Sequence, residues 1–145
     1  LGFRKRKGSS MSVIAWNDDY NVNVEVIDTQ HRKLLELVRN LHSAVGARID
    51  KDSLKDLLVE LVEFTDIHFA TEEQYMKEYE FPGYDAHCKE HKMLLRHMHD
   101  LVERVSSGNY PTFYSDYDVS NDWALVHIAQ FDKALGQFLN SKGVY

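Results

Sequence analysis

Residues 54–72 read LKDLLVELVEFTDIHFATE, and the period of that stretch decides the fold. Leu54, Leu58, Leu61, Thr65, His68 and Glu72 recur every three or four positions, so they share one face of an α-helix. That face starts aliphatic and ends in a histidine and a carboxylate. The helix is predicted from about Asp52 to Glu80, where Phe81-Pro82-Gly83 breaks it.

Working outward, the same period returns on both sides. Leu34, Leu35, Val38, Leu41 and Val45 predict a helix that Asp28 can cap and that ends near Gly46. A third helix begins near Asp85 and carries His87, His91, Leu94, Met98, Val102 and Val105 inward. After the loop Ser106–Pro111, a fourth covers roughly Asp116 to Leu139, with Trp123, His127, Phe131, Ala134 and Phe138 toward the core. Residues 12–28 lack a sustained helical period and read as an extended arm packing Trp16 and Tyr20 on the helices. Four amphipathic helices with short connections predict an all-α, antiparallel up-down-up-down four-helix bundle with an extended N-terminal arm.

A chain of 145 residues suits one domain with a real core. Arg4, Lys5, Arg6 and Lys7 followed by Gly8-Ser9-Ser10 read as a linker or appended segment, with the domain spanning residues 11–145. Without those four cations, residues 11–145 carry a formal charge of −10, which argues against nucleic acid as a partner. No apolar stretch approaches a membrane span, so no membrane partner is expected. The single cysteine, Cys88, excludes a disulfide framework and points to a cytoplasmic location.

The chemistry lies in polar residues on the apolar faces. His31, His68, Glu72, His87, His91 and His127 occupy stripes that should otherwise be aliphatic. One such histidine is ordinarily a satisfied core residue, but an unpaired buried polar group costs on the order of 1–3 kcal/mol. Five histidines drawn from four helices need a common partner, and a metal cluster is the economical one. His68/Glu72 and His87/His91 are each four apart, one turn along the same face. Imidazoles with carboxylates suit iron, zinc or another divalent first-row metal, and five histidines are more than one ion readily uses. The Glu-x-x-His pairs of ferritin-like sites and the His-Glu-x-x-His of zinc proteases are both absent.

His42, about three turns beyond His31, reads as a locally bonded boundary histidine. His97 and His99 read as surface residues, Cys88 as a small packed thiol, and Glu73 and Glu90 as members of solvated faces.

Four motifs carry a family resemblance. Trp16 and Tyr20 with Ile27-Asp28-Thr29-Gln30-His31, then His68-Phe69-Ala70-Thr71-Glu72-Glu73, His87-Cys88-Lys89-Glu90-His91, and Trp123 through His127-Ile128 to Asp132 resemble the hemerythrins over about residues 13–140. The resemblance implies two iron ions bridged by carboxylates and an oxo or hydroxo group. His87, His91 and His127 would hold one iron, His31 and His68 the other, with Glu72 and Asp132 bridging. Dioxygen would bind at the open position of the two-histidine iron, in a pocket near Trp123 and Ala124. Helical spacing alone does not nominate Asp132, which lies five residues from His127, about 140° around a regular helix.

The implied function is reversible dioxygen binding for carriage, storage or delivery, a binding activity rather than an enzymatic one. The alternative is an oxygen- or redox-sensing domain acting on a fused or separate signalling partner. Ala124 favours it, because family members commonly have a bulkier aliphatic residue there and a roomier pocket admits water.

Overall fold

The computed structural model describes residues 16–109 and 126–145. Within them lie helices α1 (Glu25–Ala47), α2 (Lys51–Glu78) and α3 (Tyr84–Ser106), and α4, which covers 126–141. A π-helical turn at Ile128–Asp132 interrupts α4 before the regular segment Lys133–Ser141. No strand occurs among the described residues.

The short connections after α1 and α2 make α1, α2 and α3 run antiparallel to one another in turn. The Lys51 ammonium at the start of α2 donates to the Gly108 carbonyl beyond the end of α3. At the opposite end of the bundle, Asn140 Nδ2 in α4 donates to the Asn23 carbonyl just ahead of α1 at 2.9 Å.

Each helix ends in the same way. A residue just past the helix turns left-handed, and the residue after it donates back to a carbonyl of the last turn, the Schellman arrangement. Ile49 donates to Ala44, Phe81 to Met76, Asn109 to Arg104 and Val144 to Leu139. The left-handed residues are Arg48, Glu80, Gly108 and Gly143. Helix α1 stops at Ala47, near Gly46 as expected, but the left-handed turn is made by Arg48 rather than by the glycine.

Two further expectations shift. The arm is not extended throughout, because Asp18–Tyr20 forms a 3-10 turn that lays Tyr20 beside Trp16, both against the core. Asp28 does not precede α1 but lies in its first turn. Its carboxylate reaches back to the N–H groups of Val22 and Asn23 at 2.8 and 3.1 Å. That holds the arm against the bundle and leaves Val24, which cannot cap with a side chain, at the helix start.

The core divides into two apolar zones. One is built from Leu34, Val38, Leu41, Leu54, Leu58, Leu61, Leu94, Met98 and Leu101 of α1–α3. The other joins the arm and the far ends of the helices through Val22, Val24, Ile27, Met76, Leu135 and Leu139. On α1, His31 falls between Ile27 and Leu34; on α2, Glu72 falls between Phe69 and Met76. The polar residues thus form a layer between two greasy plugs. The boundary at residue 10 and the positions of Trp123 and Ala124 lie outside the described residues.

Candidate metal centre

The structure brings all seven side chains named above into that layer. His31, His68, Glu72, His87, His91, His127 and Asp132 are each at most 1 % exposed. Glu72 Oε1 lies 3.3 Å from His87 Nε2 and 3.0 Å from His91 Nε2, while its Oε2 lies 3.0 Å from His68 and 3.5 Å from His31. Asp132 divides in the same way. Its Oδ1 is 3.1 Å from His87 Nε2 and 3.0 Å from His127 Nε2, and its Oδ2 is 2.7 Å from His31 Nε2. Each carboxylate therefore offers one oxygen to a three-histidine group and the other to a two-histidine group. The donor atoms form two sets, each spanning at most 4.8 Å: His87, His91 and His127 with both carboxylates, and His31 and His68 with both carboxylates.

Asp132 reaches the layer through the π turn. In a π turn the hydrogen bond closes from i to i+5, so residues five apart come onto one face. The extra residue also advances the phase of everything after it. The core stripe of α4 becomes Ile128, Asp132, Leu135 and Leu139, whereas Ala134, expected to face the core, is exposed and Phe131 and Phe138 are half-buried.

The electrostatics call for positive charge between the carboxylates. Burial works against protonating His31, yet the hydrogen bonds and charges of Asp132 and Glu72 prevail and raise its pKa to about 9. His87 is likewise opposed by burial and raised to about 9 by the same two carboxylates. For Glu72, burial favours the neutral acid, but the charge of His68 and hydrogen bonds from His31, His68 and His87 hold it well below the ordinary carboxylate range. Asp132 is pushed up by burial and by Glu72 but pulled further down by His127 and His31, leaving it strongly lowered.

Protons are one source of that charge, and metal is the other. The tautomers favour metal. His91 Nδ1 faces Glu73 Oε2 at 2.8 Å and His68 Nδ1 faces Gln30 Oε1 at 2.7 Å. Both acceptors place a proton on Nδ1, so each ring, when neutral, presents a bare Nε2 lone pair to a Glu72 oxygen. His68 Nε2 and Glu72 Oε2 stand 3.0 Å apart. A cation resolves that opposition. Donor atoms about 3 Å apart are also what adjacent corners of a coordination sphere require when bonds are about 2.1 Å. The residues fit a pair of metal ions.

Aromatic rings wall the layer. Phe69 stacks on His91 with centroids 3.7 Å apart, and Phe131 stacks on His127 at 5.5 Å. Of the other histidines, His42 is half-buried and His97 and His99 are exposed, as expected, and Cys88 packs beside the second apolar zone. Glu73 and Glu90 depart from the expectation of solvated faces. Glu73 orients His91, and Glu90 Oε2 stands 3.8 Å from His127 Nδ1. Gln30 was not singled out in the sequence. The only available signal was its place beside a buried histidine, since a long polar side chain there can reach the far nitrogen of a ring on the next helix.

A four-helix bundle with this buried histidine–carboxylate layer defines a metal-binding helical domain. The family described as "Hemerythrin HHE cation binding domain" matches residues 22–139, and the chain belongs to the hemerythrin family. It is 29 % identical over 131 residues to a bacteriohemerythrin of Stenotrophomonas maltophilia, covering 86 % of this chain and 80 % of that one. A bacteriohemerythrin of Pseudomonas aeruginosa is 32 % identical over 98 residues, covering 68 % of this chain and 63 % of its own. That of Methylococcus capsulatus is 26 % identical over 132 residues, 90 % of this chain and the whole of its own. Among solved structures, the crystal structure of a leucine-to-alanine mutant of a hemerythrin superposes with a TM-score of 0.79 at 27 % identity, covering 86 % of this chain and 95 % of that one. No helix among the described residues is long and apolar enough to cross a membrane.

Proposed function

We propose that the seven side chains hold two iron ions and that the protein binds dioxygen reversibly there. His87, His91 and His127 serve one ion, His31 and His68 the other, and Glu72 and Asp132 bridge them. The observation that carries this reading is the division of both carboxylates, one oxygen to each histidine group. Two iron ions so bridged would supply the electrons that dioxygen needs to bind.

The chain's own residues supply the rest. Two histidines against three make the ion positions unequal, and the position with fewer protein donors is the one with room for an exogenous ligand. Phe69 and Phe131 exclude water from the rings they cover, and Glu73 and Gln30 fix the imidazole orientations. Such a site binds and releases its ligand; turnover would need an electron donor as well.

The test is an oxygenation cycle on iron-loaded protein reduced without air. A visible band that appears with oxygen and vanishes on its removal is the expected result and favours carriage, storage or delivery. A band that decays within minutes to a stable oxidised spectrum would keep the iron pair and favour the sensing role that Ala124 suggests. No spectral response from iron-loaded protein would overturn dioxygen binding.

A further inference from the structure

The two histidine groups differ in what stands behind them. Behind the three-histidine group are two carboxylates, Glu73 at 2.8 Å from His91 Nδ1 and Glu90 at 3.8 Å from His127 Nδ1. Behind the two-histidine group is an uncharged chain of hydrogen bonds. His68 Nδ1 contacts Gln30 Oε1 at 2.7 Å, Gln30 Nε2 donates to Thr71 Oγ1 at 3.1 Å, and Thr71 Oγ1 donates to the Ile67 carbonyl at 3.1 Å. Among the described residues, His31 Nδ1 and His87 Nδ1 have no hydrogen-bond partner, so neither alters the contrast.

The direction of that chain is set at its far end. A carbonyl oxygen can only accept, so the Thr71 hydroxyl proton goes to Ile67. Thr71 Oγ1 is then left as an acceptor, and the amide of Gln30 turns its NH2 toward it. The amide oxygen therefore faces His68, whose Nδ1 must carry the proton. Its Nε2 is left as a lone pair directed at Glu72 Oε2, 3.0 Å away. Three residues on two helices thus choose the tautomer of one histidine.

Charge is the second consequence. A carboxylate behind an imidazole raises its basicity and its hold on a metal, whereas an amide orients the ring and adds no charge. We infer that Gln30 and Thr71 form a positioning relay that orients His68 while leaving the two-histidine position the weaker metal site, so that the three-histidine position fills first. The inference rests on the two-metal reading above and adds an order of loading to it. Neither residue touches a donor set directly; both act through His68.

The test uses metal-free full-length protein titrated anaerobically with Co²⁺, followed by its visible absorption and by calorimetry. Two binding phases are expected. Thr71→Val, a near-isosteric change at a half-buried position, should weaken the second phase about 10–100-fold and leave the first unchanged, while Thr71→Ser restores it. Gln30→Glu should strengthen the second phase by a similar factor, and Glu73→Gln should weaken the first. A single unresolved phase of two ions, or equal weakening of both phases by Thr71→Val, would overturn the relay while leaving the two-metal reading intact. Fewer than two ions bound by unaltered protein would overturn that reading, and the relay with it.

Discussion

Val22 crosses Gly136 so closely that a Cβ built on the glycine would lie 2.7 Å from the Val22 Cβ, with the Val22 carbonyl oxygen nearer still. The arm cannot easily withdraw, because the Asp28 carboxylate holds the Val22 N–H and Asn140 holds the Asn23 carbonyl. Gly136 lies in the second apolar zone, which closes one side of the metal layer. Gly136→Ala should therefore lower stability by about 1–3 kcal/mol despite alanine's better helix propensity. Gly46 is the matched control: it is also helical, but its Cβ would meet nothing within 4 Å. There the same substitution should raise stability by up to about 1 kcal/mol. Urea unfolding of the two variants checks both signs.

The four helix ends use one backbone geometry with two kinds of residue. Gly108 and Gly143 adopt the left-handed conformation without a Cβ penalty, whereas Glu80 takes it at φ 54°. Glu80 is exposed, so Glu80→Gly should relieve strain and raise stability by up to about 1 kcal/mol. Glu80→Val should lower it, since a β-branched residue fits that conformation worst. A shift of the thermal midpoint upward for valine would contradict the assignment.

These details show where the sequence was legible. The bundle followed from apolar period, and the α2 face from Leu54 to Glu72 is buried throughout, as read. The end of α1 near Gly46 was legible, but the residue that makes its left-handed turn was not, because glycine is the usual mark of such a stop and here Arg48 occupies it. In α4 the misplacement was one of phase. A regular helix puts Ala134 inward, and one extra residue in the turn at Ile128–Asp132 exposes it and buries Leu135 instead. Composition carries no sign of a π turn; only the family resemblance nominated Asp132. Glu73 and Gln30 were illegible for another reason. Whether a polar residue beside a ligand faces solvent or a neighbouring helix depends on the inter-helix packing, which periodicity does not give.

Metal loading should release protons. In the metal-free protein His31 and His87 are raised from an ordinary value of 6.5 to about 9. Because these folded-state values exceed the unfolded ones, their contribution to metal-free stability is fully present below about pH 6.5. It is lost as pH rises through about 9. The metal-free thermal midpoint should accordingly fall between those limits. A bound metal needs neutral imidazoles, so binding near pH 7 should displace about two protons per chain and strengthen as pH rises. Calorimetric titrations in buffers of different ionisation enthalpy measure that number. No proton release at pH 7 would contradict the raised values.

The π turn can be tested by shortening it. Ala129 and Gln130 are its exposed members, whereas Ile128 and Asp132 are buried. Removing Gln130 leaves the residues now numbered His127 and Asp132 four apart, a spacing that a regular α-helix also places on one face. It leaves the distance from Asp132 to Leu135, Gly136 and Leu139 along the chain unaltered, so the second apolar zone keeps its register. The shortened protein should therefore fold, bind two metal ions per chain and lose the wide turn, with thermal stability equal to or above the parent. Elemental analysis and thermal denaturation give both readouts. A folded variant that binds one ion or none would show that the width of the turn itself sets the reach of Asp132 between the two histidine groups.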